Sequence, residues 1–163
     1  MFTTKALRAC WGILLAVSLS CAATSGVSLR PDGTPGPQDC PEEAKKAMRY
    51  MKMRVGDAAW VELDANQISS RRIMLYDGPI ESMLKDDLGT LEATSRLYGQ
   101  VWTAGPQVVI RWYEAHPPDS EKVPICAVAR LSYDQMRKLP ESKPGMAILD
   151  GSTSAAYIVD AFR

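Results

Sequence analysis

One histidine and four cysteines limit the chemistry open to this chain of 163 residues. A Ser–His–acid site would have to use His116, with Glu114 and Asp119 close in sequence. But His116 stands before Pro117-Pro118, which marks a turn, and no serine sits in a Gly-x-Ser-x-Gly elbow. Structural zinc takes about four Cys or His ligands in close pairs. Cys10, Cys21, Cys40 and Cys126 are not so spaced, and no calcium loop of the EF-hand type occurs. No metal and no cofactor is therefore expected. Neighbouring carboxylates such as Glu42-Glu43 and Asp86-Asp87 face opposite sides on a strand and diverge on a helix, so they do not make a glycosidase pair. A phosphate cradle of the GxxxxGK[ST] kind is absent, as are the glycine loop, catalytic-loop and metal-holding motifs of kinases. The chain is expected not to be an enzyme. The alternative is a hydrolase of envelope polymers, which would need a deep cleft around His116 or several carboxylates.

The cysteines say more about compartment than about catalysis. Lys5 and Arg8 precede an apolar run, Trp11–Leu19, which is followed by small residues at 20–23. Basic segment, apolar segment and small-residue zone, in that order, predict a signal peptide over 1–20. The apolar run is far short of the roughly 20 residues that span a bilayer. Two cleavage readings stay open. "SLSC" is similar to the lipobox of bacterial lipoproteins, although Ser18 stands where that motif has an aliphatic residue. Cys21 would then be the lipidated first residue of a membrane-anchored protein. Ordinary cleavage after Ala22 or Ala23 would instead give a soluble periplasmic or secreted protein. Residues 21–39 are rich in Gly, Pro, Ser and Thr and read as a flexible tether. With Cys10 removed and Cys21 acylated, Cys40 and Cys126 remain as an even pair in an exported chain. That predicts one disulfide, against the alternative of a buried free thiol at Cys126.

Partner binding is the remaining option, and its candidates are aromatic. Tyr98 and Trp102 share strand parity, as do Arg111 and Tyr113, while Trp112 faces away from Arg111. If one face of this hairpin is exposed, Trp and Tyr beside Arg111 suit an envelope protein or a glycan. If it is covered, the same residues are packing. The charge balance, 19 basic against 19 acidic side chains with no basic block, argues against nucleic acid.

The elements that must position these residues are mostly strands. "CPEEAKKAMRYMKM" starts a short amphipathic helix: Pro41 and two glutamates suit a first turn, and Ala44, Ala47, Met48 and Met51 share a face. Beyond Gly56 short extended runs follow. "AAWVELDA" buries Ala59, Val61 and Leu63 on one side. "RRIMLY" and "IESMLKDD" flank "DGP" and read as a hairpin. "SRLYGQVWT" and "QVVIRWYEAH" read as a second hairpin. "KVPICAVAR" is apolar on both faces and reads as a covered central strand. "MAILD" and "AAYIVDAF" close the chain. The expected fold is mainly β, a small antiparallel barrel or sandwich with one short N-terminal helix, in a single domain over 40–163.

At "DGPI", "RLYGQVWTAGPQVVIRWYEA", "KVPICAVA", "SKPGMAILDGS" and the terminal "VDAFR" the chain resembles small exported lipoproteins of myxobacterial type, a group often labelled serine/threonine protein kinase. The resemblance spans roughly residues 40–163, and its motifs, which are turns, strands and one cysteine, imply a fold more than a function. The kinase label finds no supporting motif in these residues. A second resemblance, at 94–99 and 118–120, is to the β-barrel domain of type IV secretion channel proteins, and it too implies a barrel.

Overall fold

The computed structural model describes residues 26–131 and 136–163. The predicted signal segment 1–20 and Cys21 lie outside the described residues, as does part of the connection after "KVPICAVAR". Chain order gives β1 (Gln38–Asp39), α1 (Glu42–Tyr50), β2 (Ala58–Glu62), β3 (Ile73–Tyr76), β4 (Gly78–Leu84), β5 (Arg96–Trp102) and β6 (Val109–His116). It ends with β7 (Val123–Arg130), β8 (Met146–Leu149), β9 (Thr153–Ile158) and β10 (Ala161–Phe162).

Strands β2, β4, β5, β6, β7 and β9 close into a six-stranded antiparallel barrel in that order. Of the two expected architectures the chain forms the barrel, with one short helix beside it among the described residues. Closure leaves no open edge in the main sheet. The interior is filled by side chains from alternate strand positions, among them Val61, Leu84, Leu97, Val101 and Trp112, all buried. One polar link inside joins β6, β4 and the residue after β2. The Trp112 indole Nε1–H donates to Ser82 Oγ at 2.9 Å, and the Ser82 hydroxyl donates to the Leu63 carbonyl.

Helix α1 starts as its sequence predicts. Pro41 stands at its N-cap, Glu42 and Glu43 occupy the first turn, and Ala44 and Met48 are buried. It packs on the outer side of β7, and the Met48 sulfur accepts the Cys126 backbone N–H at 3.3 Å. This explains why β7 is apolar on both faces: Ile125, Cys126 and Ala127 are all buried, some against the barrel and some under the helix. Cys40 and Cys126 form a disulfide with Cα atoms 6.0 Å apart. It ties the residue just before α1 to the strand that α1 covers.

Two expectations are corrected. β3 and β4 are not a hairpin. β3 pairs with β8 as a separate two-stranded ribbon, whereas β4 joins the barrel. Only Asp77 separates the two strands, so the chain turns a corner there rather than reversing. Gly78, at φ 125°, supplies the corner, the Asp77 amide donates to the Gly145 carbonyl, and its carboxylate accepts the Thr103 amide.

The tether is the second correction. Residues 27–39 form a strap on the barrel. Arg30 and Gly36 amides donate to the Thr34 and Ser28 carbonyls, closing a small turn. β1 pairs with β10, and Pro35 and Gly36 are buried. The Gly/Pro-rich composition leaves little side chain to pack, so the strap is held by its backbone carbonyls.

Candidate functional site

Arg111 is what those carbonyls bind. It projects from the outer face of β6 and is only 1 % exposed. Its Nη2 donates to the Gly36 carbonyl at 2.8 Å and, at 3.4 Å, to that of Pro35. Its guanidinium lies 4.9 Å from the Phe162 ring centre and 5.5 Å from that of Trp102. Burial pushes it below its ordinary pKa range. Among the described residues no carboxylate forms an ion pair with it, and Nη1 has no hydrogen-bond partner. The expected exposed binding role of Arg111 is therefore corrected: the chain's own strap covers it. Tyr113 joins the same assembly, with its hydroxyl 3.2 Å from Gln38 Oε1 and its ring edge-on to Phe162 at 5.2 Å. Burial pushes its hydroxyl pKa up.

The substitutions Arg111→Met and Arg111→Ala separate packing from charge. Replacing a buried charge by a well-packed apolar residue is often neutral or stabilising, and no carboxylate is stranded here. Arg111→Met, which leaves the buried Gly36 carbonyl without its donor, is expected to lose about 1–2 kcal/mol. Arg111→Ala, which also empties the slot between Trp102 and Phe162, is expected to lose about 2–4 kcal/mol more. It should also speed proteolysis within 27–39. Urea melts with limited proteolysis check this, and an Arg111→Met as damaging as Arg111→Ala would show that the charge itself holds the strap.

Trp102 and Tyr113 reach past the strap into a cleft of about 660 Å³. It lies between α1, the strap and the outer faces of β5, β6 and the start of β7. Leu29, Pro41, Ala44, Pro124 and Ile125 complete a mostly apolar wall, with Gln38, Glu43 and Gln100 at its polar points. Of the four candidate residues Trp102, Arg111 and Tyr113 lie together around Phe162 and this cleft, and Tyr98 stands apart. Its ring packs on His116, with centroids 4.3 Å apart. His116 Nε2 is in hydrogen-bond contact with Glu114 Oε1, and Lys122 Nζ is 3.3 Å from the other carboxylate oxygen. These bonds, that from His116 foremost, hold the Glu114 carboxyl below its usual range. His116 is thus part of a half-exposed strand-end cluster.

Glu62 is the most buried carboxylate among the described residues. Burial pushes its pKa up, but bonds from Lys85 (3.0 Å), Ser152 and the Ser69 amide outweigh that and leave it lowered. Among the described residues no group of three metal-ligating side chains is found.

A feature that the sequence reading missed is the outer face of the β3–β8 ribbon. Ile73, Leu75, Ala147 and Leu149 point inward and are buried. Their alternates form the cross-strand pairs Met74–Ile148 and Tyr76–Met146. Met74 and Tyr76 are 47 % and 61 % exposed. Both ribbon edges are capped. The Gln67 side-chain amide exchanges two bonds with the backbone of Met74, at 2.9 and 3.1 Å. On the other edge the Ile148 carbonyl accepts the Leu139 amide, and its N–H donates to Ser142 Oγ. The ribbon cannot easily add a strand, yet its face is apolar and open. The run "IMLY" carried the signal: all four residues are apolar, so something must cover both faces or one is left bare.

No protein-family model matches the chain, and a search of characterised proteins finds no match either.

Proposed function

We propose that this chain is a non-enzymatic lipoprotein of the cell envelope, anchored through Cys21, whose barrel domain is a binding or structural module for an envelope protein. The observation that carries the binding role is the apolar face of exposed Met74 and Tyr76 beside half-buried Met146 and Ile148, on a ribbon whose edges are capped. Adjoining exposed apolar side chains mark interaction surfaces, and this face offers side-chain anchors rather than free backbone. Its Met and Ile content suits a protein better than a glycan, which would call for aromatic platforms ringed by hydrogen-bonding groups. The disulfide supports export, because such bonds persist in oxidising compartments. The hydrolase alternative is less favoured: His116 lies in a half-exposed cluster tied up by Glu114, and the barrel interior is filled.

The test places a photo-crosslinking amino acid at position 148 of the full chain in a bacterial host of myxobacterial type. One discrete crosslinked partner band is expected. Met74→Asp with Tyr76→Asp should weaken that band at least tenfold, since central apolar anchors contribute more than about 1–2 kcal/mol each. Stability should stay within about 1 kcal/mol, because both sites are exposed. An undiminished band from the doubly substituted protein would remove the ribbon from the interface.

A further inference from the structure

The apolar cleft beside α1 has walls, a location and a neighbour that point to its occupant. We infer that it takes an acyl chain of this protein's own N-terminal anchor when the anchor is out of a bilayer. This rests on the lipoprotein reading of Cys21. The cleft's size, about 660 Å³, is within the roughly 300–1,000 Å³ of small-ligand sites. Leu29, Ala44, Trp102 and Ile125 make it a surface for hydrocarbon, and two of its polar groups, the Tyr113 hydroxyl and Gln38 Oε1, are bonded to each other at 3.2 Å. Gly26 and Val27 form part of its lining. The chain thus leaves the domain from the cleft wall itself. Five residues lead from Gly26 back to Cys21, an extended reach of about 17 Å. A ligand tethered so closely meets the cleft at a high effective concentration, on the order of millimolar. A lipid chain in water gains by leaving it, and this cleft is an apolar shelter within reach.

The experiment uses the full chain, expressed in bacteria fed a fatty-acid analogue that carries a diazirine and an alkyne. The labelled protein is purified in detergent, transferred to detergent-free buffer, irradiated and digested. The expected result is label on the Cys21 peptide and intramolecular crosslinks to peptides holding Ala44, Trp102 or Ile125. Leu29→Glu, at an exposed position of the rim, should cut those crosslinks at least fivefold with labelling unchanged. Ala44→Phe, which fills the cleft, should do the same provided that its disulfide still forms. Label on Cys21 with crosslinks only elsewhere, or only between chains, overturns the inference and leaves the anchor standing. No label on Cys21 overturns both. Crosslinks that persist at full strength in folded Leu29→Glu and Ala44→Phe also contradict it.

Discussion

The double substitution Cys40→Ala, Cys126→Ala is expected to lose about 4–5 kcal/mol of stability. The bond spans a sequence separation of 86. Cross-linking a loop of that length removes much of the unfolded chain's freedom, and the entropy model gives about 4–5 kcal/mol for it. A small domain holds roughly 5–15 kcal/mol in total, so the variant should sit near the edge of folding at growth temperature. The position of the bond adds to this. Cys40 opens α1 and Cys126 lies under it, so the bond keeps the helix on the one barrel strand that it covers. Cys126 is 0 % and Cys40 2 % exposed. Mild reductant should therefore leave the bond intact in folded protein and break it only with denaturant present. Urea melts of oxidised wild type against the double variant measure the difference. A loss below about 1 kcal/mol would mean that helix packing alone, through Met48 and Ala44, holds this side of the molecule.

Gly99→Ala is expected to be nearly as damaging, by a different route. β5 and β6 shift register between Tyr98 and Gly99, and there the strands approach closely. A Cβ on Gly99 would sit 2.1 Å from the Arg111 carbonyl oxygen and 2.9 Å from the Trp112 Cα. Those are backbone atoms, so no side chain can swing aside. Overpacking in a core costs about 1–3 kcal/mol when side chains can adjust, and more than about 3 kcal/mol is expected when they cannot. The damage falls where Arg111 leaves for the strap and Trp112 enters the barrel, so both the strap and the interior bond to Ser82 should loosen. Gly151→Ala is the control: an added Cβ there meets nothing within 4 Å, and a change within about 0.5 kcal/mol is expected. Thermal melts of the two variants side by side decide it. Equal stability would show that the bulge relaxes freely.

Most of the barrel was legible because its strands alternate. Ala59, Val61 and Leu63, or Leu97 and Val101, announce a buried face by period alone. The disulfide followed from cysteine arithmetic and compartment. What stayed hidden depended on contacts far apart in sequence. The strap looked like a tether because its Gly and Pro residues carry little apolar surface, yet its anchor is a single arginine on β6. Arginine is rarely buried, so nothing in "VIRWYEA" announced that Arg111 would be covered rather than displayed. The β3–β4 hairpin was misread because Asp77-Gly78 suits a tight reversal and equally suits a one-residue corner. Only the pairing of β3 with β8, some seventy residues later, separates the two.

We propose that an exported, lipid-anchored chain carries this disulfide-tied barrel. Mass spectrometry of non-reduced, alkylated full-length product from a bacterial envelope tests it most directly. The account predicts a mature chain that begins at Cys21 with acyl groups attached, together with a cross-linked Cys40–Cys126 peptide pair. A chain that begins at Ala23 or Thr24, free of lipid and in the soluble fraction, or one that retains residues 1–20 with both thiols alkylated, would contradict it.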